Sequence, residues 1–575
     1  MPLQTHTTIA PSSIVLSRLL FHNEVPDALE AASIHQGIND IKGEIFRLQS
    51  QLEYLERLLQ KHRRVLSAVR RIPAGVWGRI FTFVLPFCLR GNERRELLHL
   101  TLVCRAWCQA ARLTRRLWNK YSVDTHPFSY KAAKSWLSRS GDLPKSLEVD
   151  GLACGHCKKF RRDNGDFRCP IIHPELVKLL LEGPVLNHLS LKCQVPLCFK
   201  KLCERLHPSM WISIKSLTIW IEDGWRQVIE GEVMSHSFDI PPNVTSLEIS
   251  LGYAYDFGCP DRPLCISPIV YARLTSLSFN SGAWSNGAAF LAALKHCTSL
   301  ESLTINFVCN GWRYDDEDYR IAGRSVSLPC LRTLQLQQAC ETDILEHLVM
   351  PALIELVVRG EYSEGEREFQ WYFPNPQVRC PNLRILRLYT PRSVDPSELA
   401  AILKYLPHLT EVTLSGAVPD IHARRDYYGH EPKNVEEVGE HRETPMRDVF
   451  QMLHSWDQKY GANRNLSSLQ VLEILDLPEN YNFSYISNYI AARSRKPPGE
   501  ASDTLKQLTI TFLPTRFLKN CNFGDFKNVQ EVLERRGIRA SITPSELKPF
   551  RQDWNEPLYP FRAQIPGPPL VNVTY

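Results

Sequence analysis

The sequence predicts a chain of mixed α and α/β class: one long heptad helix, a small three-helix unit, then an array of strand-containing repeats. Three observations carry that expectation. Residues 34–69 alternate apolar positions at spacings of four and three without a break. Residues 71–121 hold three short apolar segments joined by polar turns. From Leu186 onward one short apolar pattern recurs eleven times. At 575 residues the chain is long enough for several domains or one extended array.

The first element is a helix with a coiled-coil seam. Positions a are Ile38, Ile45, Leu52, Leu59 and Leu66. Positions d are Ile34, Ile41, Leu48, Leu55, His62 and Val69. Such a helix runs roughly 54 Å at 1.5 Å per residue. Gly37 and Gly43 weaken its start by up to about 1 kcal/mol each. A strict a/d seam suits self-association, giving a homodimer through residues 34–69. Leu58 and Val65 widen the apolar stripe, which suits packing on a neighbouring globular surface. These two alternatives, and a different partner, stay open from sequence. Residues 1–30 read as a disordered N-terminus and 31–70 as the coiled-coil helix.

The second element reads RIPAGVWGRIFTFVLPFCLRGNERRELLHLTLVCRAWCQAARLTRRLWNKY. Val76, Trp77, Ile80, Phe81 and Val84 follow Ile72-Pro73 at helical spacing. Leu97, Leu98, Leu100, Leu102, Val103, Ala106 and Trp107 form a second group, and Ala110, Ala111, Leu113, Leu117 and Trp118 a third. About fifty residues make a small independent unit, which often needs a partner to cover its apolar surface.

Residues 71–121 resemble the F-box, as found in fungal-type F-box proteins. The resemblance rests on Ile72-Pro73, Ile80-Phe81, Leu102-Val103-Cys104-Arg105-Ala106-Trp107, Ala110-Ala111 and Leu117-Trp118. Ala74-Gly75 stand where that family has an acidic Pro-Glu pair, and Pro86 to Arg95 lengthen the first connection. The resemblance implies binding to the Skp-type adaptor of a cullin–RING ubiquitin ligase and no chemistry in this chain. It assigns adaptor contact to Ile72, Pro73, Ile80, Phe81, Leu102, Val103, Leu117 and Trp118, with Trp107 supporting the helices from inside.

The third element is the repeat. An apolar residue is followed by another three positions later and a third two after that. Leu186/Leu189/Leu191, Ile214/Leu217/Ile219, Val244/Leu247/Ile249, Leu274/Leu277/Phe279, Leu300/Leu303/Ile305 and Leu331/Leu334/Leu336 are the first six. Leu353/Leu356/Val358, Leu383/Leu386/Leu388, Leu409/Val412/Leu414, Leu469/Leu472/Ile474 and Leu505/Leu508/Ile510 complete it, with Leu147 and Val149 as a degenerate first member. The long interval after Leu409 fits two repeat lengths, or one repeat plus an insertion. The array resembles irregular leucine-rich repeats, which implies a solenoid over 122–514. The polar stretch 418–465 reads as an inserted loop, and 515–575 as a cap or tail. Period two places Lys192, Trp220, Glu248, Asn280, Asn306, Gln337, Arg359, Arg387 and Tyr389 on the open face. Trp220, Arg359, Arg387 and Tyr389 are of the types that dominate interface hot spots, and they are the expected target-binding residues.

Composition narrows the function classes. The net charge of +6 is uneven: residues 57–121 carry fifteen Lys/Arg against Glu93 and Glu96, so the rest is net acidic. A basic segment suits an acidic protein or nucleic acid, and the family resemblance favours the former. No apolar run long enough for a membrane helix occurs. The N-terminus lacks the basic and apolar regions of a signal peptide. Seventeen cysteines without a secretory route read as reduced, mostly buried thiols in a cytoplasmic or nuclear protein. No phosphate-binding loop, nucleophile elbow or zinc-protease motif is present, so neither a catalytic residue nor a cofactor is assigned. Cys154, Cys157, Cys169 and His173 have zinc-ligand types at workable spacing, but a loop joining two elements explains them as well and no metal is assigned. The expected function is the substrate-recognition subunit of an SCF-type ligase. The alternative is a non-ligase repeat scaffold in which the F-box-like helices are vestigial.

Overall fold

The computed structural model describes residues 12–23, 25–66, 71–85, 89, 91–123, 128–152, 169–194, 196–206, 211–222, 240–251, 266–281, 287–307, 325–339, 344–360, 373, 376–389, 399, 402–415, 450, 466, 468–477, 485–486, 488–489, 504–512, 530–531, 533–535 and 537–544. The chain divides into two compact units. The first holds the N-terminal helices to Leu117, and the second runs from Trp118 onward together with residues 88–91. The class is mixed α/β, with a long N-terminal helix and a large parallel sheet. No helix among the described residues is long and apolar enough to cross a membrane.

In the first unit, helix α1 spans Ser12–His22 and α2 spans Ala28–Val65. Helix α1 falls inside the stretch expected to be disordered, so that expectation is corrected for 12–22. Asp27 starts α2 by a capping box. Its carboxylate accepts the Glu30 N–H at 2.7 Å while Glu30 accepts the Asp27 N–H at 3.1 Å. An ion pair between Arg18 and Glu30 ties α1 to this start. Val69, the last expected seam position, lies outside the described residues. Ile34 is half-buried, and from there the seam is open: Ile38, Ile41, Ile45, Leu48, Leu52, Leu55, Leu59, His62 and Leu66 are all exposed.

Three helices follow: α3 (Ala74–Val84), α4 (Gly91–Val103) and α5 (Arg105–Leu113), with a 3₁₀ turn at Arg115–Leu117. The expected second helix ran through to Trp107. Instead the chain breaks at Cys104, which has extended backbone and serves as the N-cap of α5. Helix α3 packs on α5 through Gly78. A Cβ there would come within 2.0 Å of Thr114 Oγ1, and that hydroxyl is already committed to the Ala110 carbonyl at 2.7 Å. Glycine is therefore required for the close approach.

Among the described residues the second unit is built on fourteen strands in one parallel sheet. Its strands are β1 (Lys120–Val123), β2 (Ser146–Asp150), β3 (His188–Cys193), β4 (Ser216–Ile221), β5 (Ser246–Leu251), β6 (Ser276–Ser281) and β7 (Ser302–Phe307). They continue as β9 (Thr333–Ala339), β11 (Glu355–Gly360), β12 (Ile385–Tyr389), β13 (Glu411–Ser415), β14 (Val471–Leu477), β15 (Gln507–Phe512) and β16 (Arg539–Pro544). Strands β8 (Val326–Ser327) and β10 (Leu348–Val349) form a separate parallel pair. Spatial order follows chain order throughout the large sheet. All eleven expected repeat cores lie on its strands, in register: Leu189, Leu217, Leu247, Leu277, Leu303, Leu334, Leu356, Leu386, Val412, Leu472 and Leu508 stand side by side. Each is buried, as are the first apolar positions such as Leu186, Leu300 and Leu469.

A second ladder of backbone bonds precedes the strands. One carbonyl of each unit accepts two successive N–H groups from the next. Lys145 O takes Asn187 and His188, Asn187 O takes Lys215 and Ser216, and the pattern runs on through Gln470 O, which takes Lys506 and Gln507. Paired carbonyls and amides leave the strand entrances satisfied without side-chain help.

Two boundaries need correction. The sheet starts at Lys120, inside the range assigned to the helical unit, and Ser146–Asp150 is a full strand rather than a degenerate one. It also continues past residue 514, where Arg539–Pro544 pairs with β15 over six positions. The long interval is one crossover, because β13 hydrogen-bonds directly to β14 with Val412 opposite Leu472. Residues 418–449 and 451–465 of the expected loop lie outside the described residues.

Candidate functional site

Two surfaces stand out, one in each unit. In the first unit three rings close a core. Trp77 and Trp107 lie 4.5 Å apart, Phe81 and Trp107 5.3 Å, and Trp77 and Phe81 6.0 Å. Trp107 supports the helices from inside, as expected. Phe81 is only 2% exposed, so its assignment to a partner contact is corrected: it belongs to the core. Leu117 is buried as well. Trp118 is 1% exposed and belongs to the second unit, where its ring meets Trp136 at 4.6 Å and the Arg139 guanidinium at 4.7 Å. A side chain already surrounded by its own unit offers no surface to a partner.

The remaining expected residues are accessible. Pro73 is exposed at the N-cap of α3, and Ile72 and Ile80 are half-buried. Leu102 is 80% exposed and Val103 60%. Around them the sequence reading missed Phe83 at 88%, together with exposed Val76, Val84, Leu98 and Leu113. The signal was there: α3 reads AGVWGRIFTFV, apolar on two faces. Trp77, Gly78 and Phe81 turn inward. Val76, Ile80 and Phe83 recur at i, i+4 and i+7 on another stripe. A helix with two apolar stripes in a small unit has one stripe more than its own core uses.

In the second unit the sheet face opposite the leucine rows carries two mainly polar rows, broken by Val357 and Trp220. One runs Glu148, Ser190, Thr218, Glu248, Ser278, Thr304, Gln335, Val357, Arg387, Thr413 and Glu473. The other includes Lys192, Trp220, Ser250, Asn280, Asn306 and Gln337, with Arg359 beside Tyr389 further along. All nine residues expected on the open face lie in these rows. Trp220 is half-buried between Lys192 on β3 and Ser250 on β5. The remaining candidates, Arg359, Arg387 and Tyr389, lie on β11 and β12. Those three come together: the Arg359 guanidinium stacks on the Tyr389 ring at 4.7 Å, and Arg387 bridges Glu355 at 3.1 Å and Glu411 at 3.4 Å. Arg387 is thus held by two carboxylates from neighbouring strands, while Arg359 and Tyr389 form a cation–π pair of recognition type.

Nearer the first strands, Lys192 Nζ meets Glu148 Oε1 at 2.7 Å, with side chains 10% and 17% exposed. Thr218 donates its hydroxyl to Glu248 at 3.1 Å. Burial pushes the Glu248 carboxyl above its ordinary value, opposed by the Thr218 bond and the Lys192 charge. A carboxyl whose folded value is raised stabilises the fold below its unfolded value and loses that contribution as pH rises through the folded one. Glu248→Gln keeps an acceptor for Thr218 and carries no charge. The variant is expected to unfold at a higher temperature than the parent at neutral pH, with the gap closing as pH falls to about 4. Calorimetric scans across that range check it.

Of the zinc-type residues, Cys154 and Cys157 lie outside the described residues. Cys169 is buried, and His173 Nδ1 accepts the Glu175 N–H at 3.2 Å to start the helix Pro174–Glu182. No cluster of metal-ligating side chains occurs among the described residues. Cys297 and Cys380 are buried, and burial pushes both thiols up to about 12, so they stay protonated packing groups. No protein-family model, curated protein or solved structure matches this chain.

Proposed function

We propose that this chain is the substrate-recognition subunit of an SCF-type cullin–RING ubiquitin ligase. Residues 71–117 act as its F-box toward a Skp-type adaptor. The parallel sheet acts as a leucine-rich-repeat solenoid that holds a target protein. The observation that carries the reading is the first unit's surface: its ring core is closed, yet Phe83, Leu102 and Val103 stand exposed in the segment that resembles the F-box. Chain-ordered parallel strands with one leucine row buried and one polar face turned away support the repeat reading. Target engagement falls to Trp220, Arg359 and Tyr389, with Arg387 tying β11, β12 and β13 around the latter two. The chain contributes proximity: a bound target presents its lysines to a conjugating enzyme at high effective concentration. A cytoplasmic or nuclear location follows from that role.

The test is co-purification of the full chain with a Skp-type adaptor. Leu102→Asp combined with Val103→Asp is expected to weaken the complex about 30-fold or more, as hot-spot truncations do. Both positions are exposed, so the variant keeps its helix content by circular dichroism. A folded variant that still binds, or a parent that never binds, would sink the proposal.

A further inference from the structure

The seam of α2 is exposed from Ile38 to Leu66, with Ile34 half-buried, in a helix of 38 residues capped at Asp27. Apolar side chains at every a and d position except His62 amount to a half-interface, and the pattern itself selects what covers it. A second copy of the same helix has two ways to pack. In a parallel pair each residue meets itself, so His62 faces the partner's His62 inside the seam. The flanking contacts then set Glu44 against the partner's Gln49, Gln51 against Glu56, and Leu58 against Arg63. None of these is an opposite-charge pair.

The antiparallel arrangement behaves differently. With the two-fold axis at the level of Ser50, Ile34 meets the partner's Leu66, Ile38 meets His62, and Ile41 meets Leu59. Ile45 then meets Leu55, and Leu48 meets Leu52. Every seam position from 34 to 66 finds a partner, and both histidines sit against isoleucine rather than against each other. Along the flank, Lys42 lies opposite the partner's Glu56, twice by symmetry, with Gln49 opposite Gln49 and Arg63 opposite His35. On the other flank Gln51 meets Gln51, Glu44 meets Leu58 and Gly37 meets Val65. The helix's own ion pairs use Glu44 with Arg47 and Glu53 with Arg57, leaving Lys42 and Glu56 available across the interface. We infer that α2 is the dimerisation element of this protein and pairs antiparallel with a second copy through residues 34–66. Both arrangements are isologous and closed by a two-fold axis, so the seam and flank contacts, not symmetry, select the antiparallel one. The inference is independent of the ligase reading.

Sedimentation equilibrium on the full chain tests it. The parent is expected to be a dimer. Lys42→Glu and Glu56→Lys alone each place two like-charge pairs across the interface and raise the dissociation constant about tenfold. The double variant restores opposite charges and returns it to near the parent value. Both positions are exposed on α2, so neither change threatens the fold. A chain that stays monomeric, including one whose helix serves a different partner, would overturn the inference. So would a dimer in which the two substitutions act additively, because in the parallel arrangement Lys42 and Glu56 never meet.

Discussion

Glu148→Ala is expected to cost about 3–5 kcal/mol of stability, the typical penalty for stranding one charge of a buried ion pair. Lys192 is the group left behind. Its ammonium is held against Glu148 across β2 and β3 with little solvent contact. The nearest alternative carboxylate is Asp150, in register with Lys192 on β2, and it already accepts the Leu152 N–H at 3.0 Å. Glu248 stands two strands further on, about 10 Å away at strand spacing, and accepts the Thr218 hydroxyl. Lys192 therefore keeps its charge in a dry site or bends away and opens the packing around Trp220, its register neighbour on β4. The control is Glu148→Ala with Lys192→Met, which removes both charges and keeps the aliphatic stem. That pair is expected to recover most of the loss, because a buried ion pair exchanged for well-packed apolar groups is often neutral. Urea unfolding followed by tryptophan fluorescence reads both variants. If Glu148→Ala alone were harmless, the ion pair would be a solvated contact rather than a buried one.

Phe81→Ala is expected to cost a comparable amount, about 3–5 kcal/mol, by opening a cavity between Trp77 and Trp107. Helices α3 and α5 are pinned at one point by Gly78 against Thr114 and at another by these rings, so the cavity sits at their main contact. In a unit this small the loss is expected to unfold it. Near-ultraviolet circular dichroism would report loss of the Trp77 and Trp107 contribution to the tryptophan signal. Phe83→Ala, two residues on and exposed, is expected to change stability by less than about 0.5 kcal/mol. The contrast separates core from surface on one helix. Equal effects would mean that the inward and outward faces of α3 are exchanged.

The sheet was legible because its pattern is local. Each L-x-L places two leucines on one face at period two, and eleven such triplets came out on eleven neighbouring strands. The strands that were missed lack the signature. In β1, Lys120 and Ser122 flank Tyr121, and β16 puts Ala540 where leucine is expected. Their pairing comes from neighbours, through backbone bonds that no side chain announces. The helical unit was legible as three segments but not in its facing. Ile80 and Phe81 are adjacent and equally apolar, yet one turns half outward and the other inward. A helix apolar on two stripes gives no internal rule for which stripe is core. Only the position of Trp107 on α5 decides it. The Arg359–Tyr389 contact was foreseen as residue types and not as a pair, since the two are thirty positions apart and meet only through strand register.

The passage from β13 to β14 carries a consequence for how such a chain can change. Most neighbouring strands are joined by crossovers of similar size, but Thr413 and Glu473 are 60 positions apart and still share a 2.9 Å hydrogen bond. The backbone ladder is equally indifferent, with Gln470 and Val471 both bonded to Thr410 O. Partner choice in this sheet is set by which strand comes next, not by how much chain lies between. Each doubling of a connection costs only about 0.6 kcal/mol in closure entropy. New material can therefore accumulate between strands, lineage by lineage, while the framework it hangs from stays put.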